Sequence, residues 1–237
     1  MKNWLIKNKI YFEIVVATLL AIMAVVVSIS QFYIASQQTK LITAQLEVVK
    51  TQIEPNIQVR EKLIKNYDEH QIYISNLGVS ALDASSKTRV FLTAELHQKE
   101  APHSFEIEIA LDGYYKGATA TSNHEGLMFT IVGDQNNKRM NKLRREFRKL
   151  SDKNGYYSSI GIRRYVRVSY TNILGKPKEL YYYVKSTGSE QITNSQGSEL
   201  FKKYNSLFGT PLSQELRKLN ATTIFDLLRN TEINKPN

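Results

Sequence analysis

Polarity along the chain changes period repeatedly, and each change predicts an element. From Ile14 to Ile34 there is no polar period: 21 residues (IVVATLLAIMAVVVSISQFYI) carry no charge. As a helix rising about 1.5 Å per residue they would extend about 31 Å, the depth of a bilayer's hydrocarbon core. This predicts a transmembrane helix. A helical period follows, with Ile42, Leu46, Val49 and Ile53 at spacings of 4, 3 and 4, extended only weakly by Ala35 and Thr39. We read it as a stalk that prolongs the span, with a homo-oligomerising coil as the alternative. Pro55 disfavours helix at Glu54, so the rod is expected to stop there.

Beyond Pro55 the period becomes two. Ile57/Val59 and Ile72/Ile74 alternate with polar residues, and Asn76-Leu77-Gly78 closes the second run. Thr88, Val90, Leu92, Ala94 and Leu96 alternate with Arg89, Phe91, Thr93 and Glu95, and Phe105, Ile107, Ile109 and Leu111 do the same. Such runs predict antiparallel strands with one face buried and one largely wet. DGYYKGATATSNHEG reads as a long loop and Leu127 to Val132 as a strand. Ile160, Ile162, Val166, Val168 and Tyr170 alternate again, interrupted at Arg164, and Leu180, Tyr182 and Val184 complete a hairpin.

A period of 3.6 breaks into the strands once. Met140, Leu143, Phe147 and Leu150 recur at 3, 4 and 3, predicting a helix over about 135–152 with a narrow apolar stripe. The last 40 or so residues turn helical: Leu200, Phe201, Tyr204, Leu207 and Phe208 share a face, Thr210-Pro211 reads as the cap of a second helix, and Thr223 with Asp226 resembles a capping box for a third, Ile224 to Leu228. Asn230 to Asn237 reads as frayed. Seven or so strands not alternating with helices favour a sandwich over an α/β sheet. The expected fold is mainly β with helical additions: a basic tail (1–13), a transmembrane helix (14–34), a stalk (35–54), an antiparallel β-sandwich-like domain (55–190) holding the basic helix, and a C-terminal helical segment (191–237).

Charge sharpens this picture. Whole-chain totals of 32 basic and 22 acidic residues, less the tail's three lysines and one glutamate, leave 29 and 21, net +8. Of that, +5 sits between Asp134 and Lys153, where eight basic residues meet three acids. If that segment is helical, Lys138, Lys142, Arg145 and Lys149 lie at spacings of 4, 3 and 4 and share one face. Clustered cations sum their fields, so this face is a candidate for binding anions; a plain solvated helix face is the bland reading. A weaker candidate is the strand face bearing Arg163, Tyr165 and Arg167, which could stack bases and neutralise phosphates but equally suits cross-strand pairing.

Catalytic signals are sparse. The absence of cysteine excludes thiol catalysis and Cys-ligated zinc. His70, His97, His103 and His124 form no H-x-x-x-H pair. His97 and His103 bracket a hairpin turn, and we read them as exposed turn residues, not metal ligands. No G-x-S-x-G, Walker A or G-x-G-x-x-G occurs, so no cofactor or metal is expected and the chain is read as non-enzymatic.

The apolar run exceeds the length of a cleaved signal's h-region and lacks an A-x-A site, which favours a signal-anchor. Lys2, Lys7 and Lys9 precede the span and only Lys40 and Lys50 follow closely, so the positive-inside rule places the C-terminal domain outside the cytoplasm. Glu54-Pro55-Asn56-Ile57, Ile72-Tyr73-Ile74-Ser75-Asn76-Leu77-Gly78 with Ala81 beyond, and Tyr170-Thr171-Asn172-Ile173-Leu174-Gly175-Lys176 occur in this order. The arrangement resembles uncharacterised bacterial single-pass membrane proteins with an N-terminal anchor, a helical stalk and a β-sandwich-like domain. That resemblance implies a fold and carries no functional residues. The expected function is a membrane-held, non-catalytic interaction module with a protein partner, part of an envelope or defence assembly. The alternative is a binder of anionic polymer, lipid headgroups or nucleic acid through the basic helix, with an enzyme lacking a recognisable motif third.

Overall fold

The computed structural model describes residue 4 and residues 7–100, 103–121 and 126–233, with the backbone alone for 50, 51, 53 and 231–233. The chain forms two units, 1–52 and 53–237. The first is dominated by α1 (Lys9–Ile53), one unbroken helix of 45 residues. None of its apolar window is buried within the protein, and it is long and apolar enough to cross a membrane, a test that a signal sequence also passes. Its hydroxyls are satisfied internally: Thr18, Ser28 and Thr39 each donate to the carbonyl four residues back at 2.8–2.9 Å.

The second unit is a sandwich of two sheets with helical additions. Strands β1 (Ile57–Ile64), β2 (Glu69–Asn76), β6 (Gly126–Gly133) and β5 (Tyr115–Ala120) form a four-stranded antiparallel sheet in that order. The larger sheet runs β10 (Ser213–Glu215), β4 (Ser104–Asp112), β3 (Leu82–Gln98), β7 (Tyr156–Thr171), β8 (Pro177–Lys185), β9 (Gly188–Ile192), antiparallel except where β10 joins β4. Three helices, α2 (Asn136–Lys153), α3 (Asn194–Leu207) and α4 (Ala221–Ile233), complete it.

The inner face of the large sheet is covered by two different layers. Val166 and Val168 of β7 and Tyr182 and Val184 of β8 pack on Ile57, Ile72, Ile74 and Ile131 of the small sheet. Farther along, Leu92 and Leu96 of β3 and Ile109 of β4 pack instead on Met140 and Phe147 of α2 and Ile224 and Leu228 of α4. Arg164 sits near the changeover, on the inner face between Ile162 and Val166, paired in register with Val90 and Val184. It is the residue that interrupts the alternation in the sequence, and the strand continues through it unbroken. Its Nη1 lies 2.6 Å from Glu61 Oε1 of β1, with the two side chains 9% and 4% exposed. The same Glu61 oxygen accepts from the Tyr115 hydroxyl at 3.1 Å and lies 3.3 Å from His70 Nδ1. A buried charge is tolerated only when paired and hydrogen-bonded, and this one is both.

The three stretches behind the family resemblance converge at the start of this unit. Glu54 accepts from the Tyr170 hydroxyl and Asn172 Nδ2, both at 3.3 Å. Leu77 N–H donates to the Asn56 carbonyl at 2.9 Å. A Cβ on Gly78 would lie 2.7 Å from the Asn56 nitrogen, so only glycine fits there.

Several expectations are corrected. The supposed loop contains β5, whose side chains are nearly all exposed and so show no apolar period; His124 lies outside the described residues. The outer face of the large sheet is not wet throughout, because α3 covers Phe91, Tyr165 and Tyr181 with Phe201 and Tyr204. Thr210-Pro211 opens no helix: Leu212 accepts from Ala110 N–H at 2.8 Å, and β10 follows at the sheet edge. The last helix is longer than expected and is capped by Asn220, whose side chain accepts from Thr223 N–H at 2.9 Å. It continues through Ile233, and residues 234–237 lie outside the described residues.

Two outcomes follow from this core. Arg164→Ala strands Glu61 and should cost about 3–5 kcal/mol in denaturant unfolding, whereas replacing both partners by apolar residues of similar size should cost far less. Burial pushes Tyr114, Tyr170 and Tyr182 up to about 12, from an ordinary value of 10.0, and raises Tyr115 well above its ordinary value too. Folded pKa values above the unfolded ones mean that this stability is intact below pH 10 and lost as pH rises through the folded values. Tyrosinate absorbance should therefore rise in two stages, the second coinciding with loss of the β-sheet circular-dichroism signal.

Candidate anion-binding face

α2 is pinned to both layers. Its first buried residue, Asn136, accepts from His70 N–H at 2.8 Å and returns Nδ2 to the His70 carbonyl at 3.3 Å. Gln135 at the N-cap is left-handed and its side chain makes no capping bond. The N–H groups of Asn137 and Lys138 donate to the Asp68 carbonyl at 3.2 Å each, and Asn137 N–H also reaches Asn136 Oδ1 at 3.0 Å. Asp68 closes a β1–β2 turn in which Lys65, Asn66 and Tyr67 all have positive φ, an unusual run for residues that are not glycine. Met140, Leu143, Phe147 and Ser151 then bury the inner side of the helix.

The outward side is cationic. Lys138, Lys142, Arg145 and Lys149 are all exposed, as are Arg148 and Lys153. Lys138 lies 3.6 Å from Asp68 and Lys142 3.8 Å from Glu146. Among the described residues, no carboxylate lies within ion-pair distance of Arg145, Arg148, Lys149 or Lys153. The cations nearer the sheets are occupied: Arg144 Nε donates to the Ile160 carbonyl at 3.3 Å, and Arg139 reaches Asp134.

Asp134 is a charge hub just before the helix. Lys116 at 3.1 Å and Arg217 at 2.5 Å, with Arg139 at 3.9 Å, surround it. Hydrogen bonds from Lys116 and then Arg217 hold its carboxyl below the usual range. Arg217 and Lys218, which the sequence reading missed, line a cleft of about 230 Å³ with Arg139, Lys142 and Glu146. Nothing in their local sequence signals this, because β10 and α4 bring them there from 70 or so residues away. Asn136 was missed too, since a lone asparagine at a helix start reads as an ordinary polar residue.

The weaker candidate is dispersed by the fold. Tyr165 is buried between Phe91 and Tyr183, with ring centroids at 6.0 and 5.2 Å. Arg167 lies 3.4 Å from Glu179 and 5.5 Å from the Phe201 ring centroid, and Arg163 lies 3.7 Å from Glu108. All three are occupied by cross-strand and helix contacts. His97 lies 3.6 Å from Glu95, and among the described residues no group of three potential ligands is placed to hold a metal.

No family model, curated protein or solved structure matches this chain. The geometry alone therefore defines the candidate: a rigidly mounted helix whose outer side carries positive charge the fold does not neutralise.

Asn136→Ala removes both partners of the buried His70 backbone and should cost about 1–3 kcal/mol for each group left unpaired. Amide hydrogen exchange should show the first turn of α2 and the turn around Asp68 losing protection together.

Proposed function

We propose that this protein is a membrane-anchored, non-catalytic interaction module that engages an anionic partner with the outer side of α2. The observation that carries this reading is the row of unpaired cations on a helix whose other side is buried. Like charges three or four residues apart, such as Arg145 with Arg148 and Lys149, and Lys149 with Lys153, each cost a helix some tenths of a kcal/mol, about 0.2–0.5. A fold that carries several uncompensated pairs gains that energy back when an anion binds. The buried ionisable groups support a structural role for the core, since Glu61, His70, Arg164 and Tyr115 are spent on one another.

Anchoring is supported by α1. Its apolar side chains face outward, with Leu20 65% and Phe32 79% exposed, and lipid is the medium in which such a surface is stable. The helix also runs on through the stalk without a break near any cleavage point. The lysines ahead of the span support an extracytoplasmic domain, which would present the cationic face to envelope components: an acidic protein surface, anionic headgroups or polymer, more readily than nucleic acid.

Lys142→Glu combined with Arg145→Glu should change unfolding free energy by no more than about 0.5 kcal/mol. In the full-length protein it should abolish binding to heparin or polyphosphate, binding that in the wild type weakens steeply with added salt. Equal binding by both proteins, or none by either at low salt, would sink the reading. Parallel assays on anionic vesicles separate headgroups from soluble polymer.

A further inference from the structure

Because α1 is continuous from Lys9 to Ile53, a register begun in the apolar span carries unbroken into the stalk. One line of positions follows alternating steps of three and four throughout. In the span it passes through Thr18, Ala21, Val25, Ser28 and Phe32, and in the stalk through Ala35, Thr39, Ile42, Leu46 and Val49, with Ile53 next in step. Every one of these residues is apolar or small, and none is charged or an amide. A repeat of 3.5 is the signature of left-handed supercoiling against another helix, since a lone straight helix would drift off such a line.

The flanks of the line are equally regular. Gln31, Gln38, Gln45 and Gln52 recur every seven residues along one side, and Ser36 and Thr43 occupy the other. A neutral amide column beside hydroxyls at Ser36 and Thr43 lets identical chains lie together with little like-charge repulsion, Lys50 being the one charge in these two columns between Gln31 and Gln52. The charges at Lys40 and Glu47 sit away from the line. Its hydroxyls at Thr18, Ser28 and Thr39 already donate within their own helix, so burying them strands no donor. In the single chain Ile42, Leu46 and Val49 remain 56%, 57% and 47% exposed, beyond the residues that lipid would cover.

We infer that identical copies of this chain assemble in parallel along this line, as a bundle of three or four. The parallel direction rests on the membrane-anchored reading, which gives every copy the same orientation. The number comes from the side chains. The step from Thr39 to Ile42 is three and from Ile42 to Leu46 four, which puts Leu46 at an a position and Ile42 and Val49 at d. Leucine or isoleucine at a with isoleucine at d favours bundles larger than a pair; the a positions are Thr39, Leu46 and Ile53 and the d positions Ala35, Ile42 and Val49. In the span, Ala21 and Ser28 permit the close helix approach by which membrane helices associate. Each bundle would gather several cationic helices, raising avidity for a polyanion without any new contact.

The chain contains no cysteine, so single replacements report cleanly. Full-length protein in its native membrane would carry Ile42→Cys, Leu46→Cys or Val49→Cys, with Ala44→Cys and Glu47→Cys on the opposite side, under mild oxidation. The line predicts strong cross-linking at the first three and little at the other two. Light scattering in mild detergent should give the mass of three or four chains, and Leu46→Asp should reduce it while Ala44→Asp does not. Even cross-linking at all five positions, or a maximum at Ala44 and Glu47, overturns the inference. A two-chain mass with the periodic pattern upholds the line and overturns the number. Alkaline extraction of the same membranes separates this from the anchoring proposal: a released chain that still cross-links periodically refutes the anchor alone, and a retained chain with an even pattern refutes the bundle alone.

Discussion

Strands β3 and β7, of 17 and 16 residues, pair along almost their whole length and create an apolar face longer than the opposing strands of eight residues or fewer can cover. The rest of the domain answers that constraint. The small sheet takes one end of the face, α2 and α4 take the other, and the seam between the two coverings needs something that fits a gap between unlike layers. Arg164 with Glu61 fills it, flanked by His70, Tyr115 at the start of β5 and Tyr114 just before it. A pair of this kind adds little net stability over an apolar substitute, but it penalises misplacement of either partner.

Mounting the cationic helix on this junction has a physical logic. Were α2 an appendage, repulsion among its charges would be relieved by fraying. Asn136 holding the His70 backbone and Phe147 under the sheet prevent that, so the repulsion is retained as field at the surface. Asp134 neutralises the cations nearest the helix start and leaves those farther along exposed. The favourable end of the helix dipole for cations is the C-terminal one, where Lys149 and Lys153 lie.

Much of this was readable from the residues. Alternation located β3, β4, β7 and β8, and the 3.6-residue stripe located α2 together with the face its lysines and arginines share. Other parts were hidden for identifiable reasons. Strand β5 is nearly all exposed and held by backbone pairing, so it leaves no hydrophobic trace. The Arg and Tyr residues on the outer face of β7 are compatible with water or with burial, and only α3, placed by tertiary packing, decides for burial. Arg164 looked like a flaw in a strand, yet a charged residue at an inward position is itself a sign of a buried partner. Finding Glu61 as that partner required the pairing of layers, which no local pattern encodes.

The order in which partners arrive during synthesis follows from the topology. β1 and β2 emerge first and pair with each other, but the residues that bury Ile57 and Val59 lie on β7 and β8; the Tyr182 hydroxyl that donates to the Ile57 carbonyl at 3.0 Å is 125 residues downstream. A chain elongating at about 5–20 residues per second therefore leaves this hairpin with a bare apolar side for many seconds. Through that interval the unpaired edge of β1 is a template for pairing with a neighbouring nascent chain, until β7 and β8 arrive to cover the hairpin's apolar side.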